Sequence, residues 1–517
     1  MKQEKISENR VFVLLLIVIA CLTLFIYSRN SPFYFTNNWV DSNAYLTMGR
    51  GILHGLVPYK DLFEQKGPVL YFIHALASLT GDNFYGVFII ECLLMSFNLI
   101  LFFKIGKLFL SESGAFFATL FLPLLLLSST WFETGDSAEE FAIPCLLFLI
   151  YSVLADKHSM SVNFYSQGVL VGLLFWIKYT LIGAWIALFL FLAVQFIFKR
   201  EFSKLFRLCL FELLGFLTVT VPVLAYFLFN HVLQSLYNVY FKINMGSYGS
   251  GNLSFTARIG RALSTGADFI KQNCLIYLVL LIGVLLFVVL TWHKLSKRNV
   301  FLFFLCFLAT SALQLYAGVG LPYYQYVALP YFALGIIGFV LGLVYLTSKN
   351  VSKPVLVLFS VLGIVMPFAL NQNPQFSRYF PNNSDGGKNS AQTEFAHIID
   401  KVPHSTLLNY GMLDSGFYLA SHRLPTVRYF ELQKIPYANY PENGDAQNRA
   451  VNDEKVDFVV TTFDVNQEKS QEQSRWTVPV PKALITKYKI VAQHSQTRDS
   501  SHYTYYLYEK KELMSKG

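Results

Sequence analysis

Long apolar runs separated by short polar stretches recur along the first 370 residues. Each is sized to cross about 30 Å of hydrocarbon. The approximate limits are 11–28, 84–103, 115–131, 139–155, 163–178, 180–197, 208–230, 273–291, 300–317, 325–346 and 353–370. Lipid cannot satisfy open backbone groups, so such runs must be helical. The pattern predicts about eleven transmembrane helices, with the sixth starting directly after a break at Lys178. Two intervening loops are long, at 29–83 and 231–272. Inside the first, Gly67 to Leu76 is apolar but short for a span, and is predicted to lie at the interface or in a protein-lined cavity. Ala44 to Leu53 has helical spacing, with Asp41 and Ser42 suited to its cap or first turn.

The texture changes after 370. Residues 371–390 read as a polar linker. Residues 391–517 read as a small α/β domain, with strands at Ser405–Tyr410, Val456–Thr461, Tyr488–Ala492 and His502–Tyr508, and helices at 391–400 and 414–421. The fold class expected is thus a polytopic α-helical membrane domain over 1–370 followed by a soluble α/β domain. No nucleotide-binding loop, internal repeat or Ser-His-Asp set is recognisable.

Charge orients the helices. Only 14% of residues are charged, against about 25% in soluble domains. Nearly all of the net charge of +9 comes from the membrane part, because the tail after 370 holds 17 basic and 16 acidic residues. Nucleic-acid binding would also need basic residues. Here, however, Lys104, Lys107, Lys157, Lys199, Arg200 and Lys294 fall on alternate loops, as the positive-inside rule demands. An odd count with the N-terminus in the cytoplasm places the C-terminal domain outside. Val11 to Phe25 is followed by Ile26, Tyr27 and Arg29 rather than a small-residue cleavage site, so it reads as a retained first helix. All six cysteines lie before 370, which leaves the tail without a disulfide framework.

The predicted outer loops carry the candidate chemistry. The first places Asp41, Tyr45, Arg50, Tyr59, Asp61, Glu64 and Lys66 among glycines and aromatics; the bland reading is an interfacial belt that anchors a helix. The second carries Glu133, Asp136, Glu139 and Glu140 with no base. Acids are favoured at a helix N-terminus anyway, but here they also suit sugar hydroxyls or a divalent cation. Lys178 lies between apolar runs, where a lysine costs about 2.5–3.5 kcal/mol at the bilayer centre. It either snorkels to the surface or faces an anion such as a lipid phosphate. Tyr323, Tyr324 and Gln325 could line a sugar site or an aromatic belt. Gly246, Gly249 and Gly251 make 242–252 a flexible loop or a lid.

These stretches resemble the GT-C superfamily of integral membrane glycosyltransferases, and within it the bacterial branch related to protein O-mannosyltransferases and the lipid A aminoarabinose transferase. The resemblance runs through Asp41-Ser42-Asn43-Ala44-Tyr45, Gly49-Arg50, Pro58-Tyr59-Lys60-Asp61-Leu62-Phe63-Glu64-Gln65-Lys66-Gly67-Pro68, the acidic second loop, Lys178-Tyr179-Thr180 and the Pro322-Tyr323-Tyr324 turn. It implies a polyprenyl-phosphate sugar donor (undecaprenyl phosphate in a bacterial plasma membrane), an acceptor at the outer face, and an inverting single displacement. The acceptor would be a surface glycan, teichoic acid, lipid or protein. Asp41 would be the catalytic carboxylate, as general base or orienter for the acceptor hydroxyl, with Lys66, Lys178, Arg50 and Lys242 as donor-phosphate ligands. Tyr45, Tyr59, Asp61, Glu64, Glu133, Glu139, Glu140, Tyr323, Tyr324 and Gln325 would bind sugar or acceptor. Many relatives show a second acid two places after the first. Asn43 stands there in this chain, so a divalent cation, with Glu133 and Asp136 as candidate ligands, is not required. The alternatives are a transporter or flippase of lipid-linked sugars and a polysaccharide polymerase or ligase. Polar residues gathered at one face, without paired halves, favour surface chemistry over transit.

Overall fold

The computed structural model describes residues 2–35, 37–128, 130–158, 160–247, 253–317, 320–347, 389–463, 480–498 and 501–514. The chain forms two compact units. One comprises residues 1–28, 90–224 and 253–373; the other comprises 29–89, 225–252 and 374–517.

Among the described residues, seven helices are long and apolar enough to cross a membrane: Asn9–Tyr27, Tyr85–Gly106, Tyr179–Phe198, Phe202–Phe229, Cys274–Thr291, Lys297–Tyr316 and Pro322–Leu346. The chain is therefore a polytopic α-helical membrane protein. Its helices bury one stripe and expose apolar side chains elsewhere. In Cys274–Thr291 only Leu280, Gly283, Val284, Phe287 and Thr291 are buried, while Leu275, Leu278 and Val289 stay open. Lipid removes the hydrophobic drive for helix association, so small residues let backbones close in. A Cβ on Gly283 would lie 2.7 Å from the Cα of Gly335, and one on Gly338 would lie 2.1 Å from the Gly283 carbonyl oxygen.

Three of the expected spans are helical but short. The run at 115–131 breaks into Glu112–Thr119 and Leu122–Leu126. Pro123 brings no N–H to continue the ladder, so the helix restarts there. The run at 139–155 begins only at Ala142, because the chain first spends residues on a turn with Glu133, Gly135 and Asp136 in the left-handed region. The run at 163–178 forms Ser161–Ile177 and stops at Lys178, whose backbone is extended, before a short 3-10 turn and the Gly183–Phe198 helix. The run at 353–370 lies outside the described residues, as does most of the expected linker.

In the second unit the first long loop is structured. The Val40–Leu53 and Pro68–Ala77 helices cross so closely that a Cβ on Gly49 would sit 2.4 Å from the His74 carbonyl carbon. The expected flexible loop at 242–252 is instead helical as far as Gly246, through a π-helical stretch at Tyr237–Ile243 and the Asn244–Gly246 turn. Its glycine-rich remainder, 248–252, lies outside the described residues. Past 253, the first unit carries the amphipathic Phe255–Gln272 helix, capped by the Ser254 hydroxyl.

The C-terminal region is a mixed four-stranded sheet with helices. Strands β1 (Leu407–Asn409), β2 (Phe458–Thr461), β3 (Tyr488–Arg498) and β4 (Ser501–Lys510) lie in the order β1-β2-β4-β3. β1 and β2 are parallel and the other pairs antiparallel, with Val459 opposite Tyr508 and Ile490 opposite Tyr508. Leu408, Tyr410, Val451, Val456, Val459 and Leu484 form its core. The short Ala391–Ile399 and Phe417–Ala420 helices and the Pro441–Asn452 helix flank it.

Candidate active site and a second polar cluster

The candidate base sits in the first turn of the Val40–Leu53 helix. One helical turn later, on the same face, the Tyr45 hydroxyl donates to Asp41 Oδ2 at 3.2 Å. The Lys66 ammonium lies 4.0 Å from the same oxygen and 3.8 Å from Glu64 Oε1, and stands over the Tyr45 ring at 5.5 Å from its centre. Asp41 and Lys66 keep 21% and 15% of their side-chain surface open, so both are accessible yet partly shielded. The structure thus brings Asp41, Tyr45, Glu64 and Lys66 together from a stretch of 26 residues.

The loop that delivers Lys66 is held from beneath. Glu64 Oε2 accepts from the Lys66 amide at 2.8 Å and from the Tyr71 hydroxyl. The buried Tyr59 hydroxyl donates to the Lys66 carbonyl at 2.6 Å, and the Tyr71 hydroxyl oxygen lies 2.9 Å from the same carbonyl. Tyr59 has φ 68° and packs face-on against Phe227. Burial, with Tyr240 and Glu64 nearby, holds its phenol well above the ordinary tyrosine range, so it stays a hydrogen-bond donor. Asp61 turns back to accept from the Val57 amide at 2.8 Å, closing the preceding turn. Lys242 is exposed on the π-helical stretch.

Arg50 is half a turn away from Asp41 around the helix. Its guanidinium is 2% exposed and grips Asp82 with two bonds, at 2.8 and 3.0 Å. It also donates weakly to the carbonyls of Tyr418 and Arg423. The structure does not bring it beside Lys66 as a phosphate ligand; its hydrogen bonds are spent holding loop to sheet domain. Burial alone would raise the Asp82 pKa, but the Arg50 bonds outweigh it and hold the carboxyl below its usual range.

Two acids that sequence reasoning did not single out complete this unit. The Thr47 hydroxyl donates to Asp414 Oδ2 at 2.6 Å, and the Asp414 amide donates to Glu431 Oε2 at 2.7 Å. Both are fully buried. Burial raises Asp414 despite the Thr47 bond. Burial, then Asp414 and Glu64, push Glu431 well above the carboxylate range. The only signal in sequence is Glu431 lying between Phe430 and Leu432.

The first unit holds a separate polar cluster. Lys178, at the helix break, pairs with the fully buried Glu139. The Gln314 amide donates to the same Glu139 oxygen at 2.7 Å, and Thr180 donates to Gln314 at 2.9 Å. The ammonium stands 3.8 Å from the centre of the Tyr324 ring, a close cation–π contact. Tyr323 packs edge-on to Tyr324, and the Tyr277 hydroxyl donates to Gln325. Glu140 accepts from the Asp136 amide at 2.8 Å and so shapes its own loop. Glu91, also missed, accepts from the Ser28 hydroxyl at 2.6 Å; a carboxylate inside an apolar run was the available signal. Among the described residues no three His, Cys, Asp or Glu side chains converge as a metal-ligand set. Glu133 and Asp136 are brought into one tight turn without a third ligand.

The first unit has one cavity lined by residues of this cluster and a second that shares a wall residue with it. One of about 180 Å³ is lined by Phe269, Tyr277, Phe332, Gln314, Tyr324 and Gln325. The other, about 490 Å³, is almost wholly apolar, with walls that include Ile186, Phe255, Ile259, Leu313 and Tyr316. Leu315 lines both.

Residues 65–226 match the Dolichyl-phosphate-mannose-protein mannosyltransferase family. Among curated proteins, none matches the chain. The fold is that of the ArnT crystal structures from Cupriavidus metallidurans. The complex with undecaprenyl phosphate superposes with a TM-score of 0.56 at 11% identity, covering 97% of this chain and 98% of that one. The apo form gives 0.53 at 12% identity, again over 97% and 98%. The Archaeoglobus fulgidus oligosaccharyltransferase complex with Zn and sulfate aligns less well, with a TM-score of 0.46 at 12% identity, over 94% of this chain and 72% of that one.

Proposed function

We propose that this protein transfers a sugar from a polyprenyl-phosphate carrier to an acceptor hydroxyl at the outer face of a bacterial plasma membrane. In this reading eleven helices cross the bilayer, the N-terminus is cytoplasmic, and residues 391–517 form the extracytoplasmic domain. The observation that carries the proposal is the half-shielded Asp41 carboxylate with Lys66 4.0 Å away and Tyr45 as its hydrogen-bond donor. A base and a cation side by side suit a reaction in which a proton leaves one partner as negative charge grows on the other.

In the proposed step, Asp41 takes the proton of the acceptor hydroxyl, which requires a separation of about 2.6–3.2 Å. The acceptor oxygen attacks the anomeric carbon from the face opposite the phosphate. The carbon–oxygen bond to phosphate breaks, its electron pair stays on the phosphate, and configuration inverts. Lys66 meets that developing charge. Its contact with Asp41 is loose, and a phosphate can compete for it. Glu64, Tyr59 and Tyr71 position Lys66 through its backbone. Support for a lipid carrier comes from the apolar cavity whose neighbour reaches Tyr324, the ring under Lys178. It also comes from the shared fold with an ArnT structure bound to undecaprenyl phosphate. Lys178 is the second candidate for the donor phosphate. Residues 65–226, the segment with the family match, contain both lysines.

The test is purified protein in nanodiscs with a panel of polyprenyl-phosphate sugars and surface-glycan acceptors. Release of free polyprenyl phosphate and formation of the opposite anomer in the product are expected. Retention would exclude single displacement. Absence of release with every donor and acceptor would overturn the transferase reading.

A further inference from the structure

The second unit holds a cavity of about 390 Å³ on the other side of the Val40–Leu53 helix from Asp41. Residues 41 and 43 point about 200° apart on a helix. Accordingly, Asp41 meets Tyr45 and Lys66, while Asn43 faces the cavity wall at Gly416. The floor is built of buried amides: Asn30, Asn37, Asn43 and Gln392. They are locked in orientation. Asn37 donates to Asn30 at 2.6 Å, Asn43 donates to the carbonyls of Asn37 and Trp39 at 2.7 and 2.9 Å, and Gln392 donates to the Ser415 carbonyl at 2.8 Å. One acceptor is left over. Asn43 Oδ1 is buried and has no hydrogen-bond partner, although Asn43 is only 2% exposed. A buried acceptor left unpaired costs about 1–3 kcal/mol; this one lies under the Gly416 wall, where a Cβ would come within 2.9 Å of it. At the rim, Phe35 and Tyr85 present rings that are 37% and 41% exposed.

We propose that this cavity is a saccharide subsite that holds an uncharged glycan as the acceptor, an assignment that rests on the transferase reading above. The lining mixes side-chain amides with the Ser31 hydroxyl, neutral groups of a kind that both donate and accept, as vicinal hydroxyls do. Exposed aromatic rings suit the apolar face of a sugar ring. The volume falls within the range of about 300–1,000 Å³ typical of small-molecule sites. The lining holds Arg29, His397 and His422 beside Asp82 and Asp400, and the two carboxylates are answered within the protein, Asp82 by Arg50 and His422 and Asp400 by Arg423; the site is of mixed charge rather than a basic anion cradle. The sheet domain supplies one wall through Gln392, Gly416 and Ala420, so it selects the acceptor rather than merely covering the membrane part.

The test uses full-length protein in nanodiscs without donor, titrated with fluorescent neutral oligosaccharides and with acidic ones of equal length. Ala420→Trp fills the cavity, and Tyr85→Ala removes a rim ring that carries little of the fold. Binding of a neutral oligosaccharide, weakened at least tenfold by both variants, is expected. Lack of binding by any neutral oligosaccharide, preference for acidic ones, or equal binding by both variants overturns the proposal. Binding as expected without donor turnover would keep the saccharide subsite and sink the transferase reading. Turnover with an unchanged acceptor KM in Ala420→Trp would do the reverse.

Discussion

Asp41→Asn separates chemistry from folding, because the structure makes the two effects unequal. The asparagine keeps an oxygen for the Tyr45 hydroxyl, so that bond survives. What is lost is a 4.0 Å ion pair with Lys66 at a site still 21% and 15% open, together with one favourable charge in a helix first turn. Exposed pairs contribute about 0–1 kcal/mol, and the helix-terminus term about 0.3–1 kcal/mol. The fold should therefore lose about 1 kcal/mol and the melting temperature a few degrees. Loss of a general base costs about 10²–10⁴-fold in rate, equivalent to about 2.7–5.4 kcal/mol of transition-state stabilisation. The assay follows polyprenyl phosphate release under saturating donor, beside thermal unfolding of the same nanodisc preparation. A folded variant that turns over within threefold of the native protein would refute the role given to Asp41. A large loss of stability would refute the argument that its contacts are weak.

Lys178→Met should destabilise strongly, by about 3–5 kcal/mol, because it leaves Glu139 charged and buried without its partner; the double variant with Glu139→Gln should recover melting temperature but not donor affinity, and recovery of both would remove Lys178 from donor binding. Gly49→Ala puts a methyl group on the His74 backbone, so a loss of about 1–3 kcal/mol is expected from overpacking, read by thermal unfolding; unchanged stability would show that the two helices separate easily. Glu431 has its folded-state pKa raised by burial. It contributes stability that is fully present below the unfolded-state value of about 4.3 and is lost as pH rises through the folded one. Glu431→Gln should flatten the fall in stability above pH 5, and an unchanged slope would assign that fall to another group.

Much of the architecture is legible because lipid imposes one rule on every span. Hydropathy locates apolar runs, however, and is blind to where a backbone breaks inside them. Pro123 and the turn at 133–136 shorten two expected helices without changing their composition. Lys178 was readable, since a lysine among apolar residues needs a reason. Gln314, which donates to the same Glu139 oxygen as Lys178, was not, because a single amide in a span carries no charge signal. In the tail, Pro441–Asn452 is missed because it buries a polar face: Asn443 and Gln447 point inward and Gln447 bonds the carbonyls of Asn409 and Tyr429. Asp41 and Lys66 could be paired on paper through their shared loop. Asp414 could not, because it meets Thr47 from 367 residues away, and Glu431 joins only through the Asp414 amide.

The Val40–Leu53 helix acts as a cam. With side chains about 5–6 Å from the axis, a rotation of 20° would sweep the Asp41 carboxylate and the Asn43 amide about 2 Å in opposite directions. Thr47 and Arg50, anchored to Asp414 and Asp82, lock that angle. Engineering a new acceptor by altering Asn43 would therefore retime the base on the far side, unless the two anchors were kept as a fixed bearing.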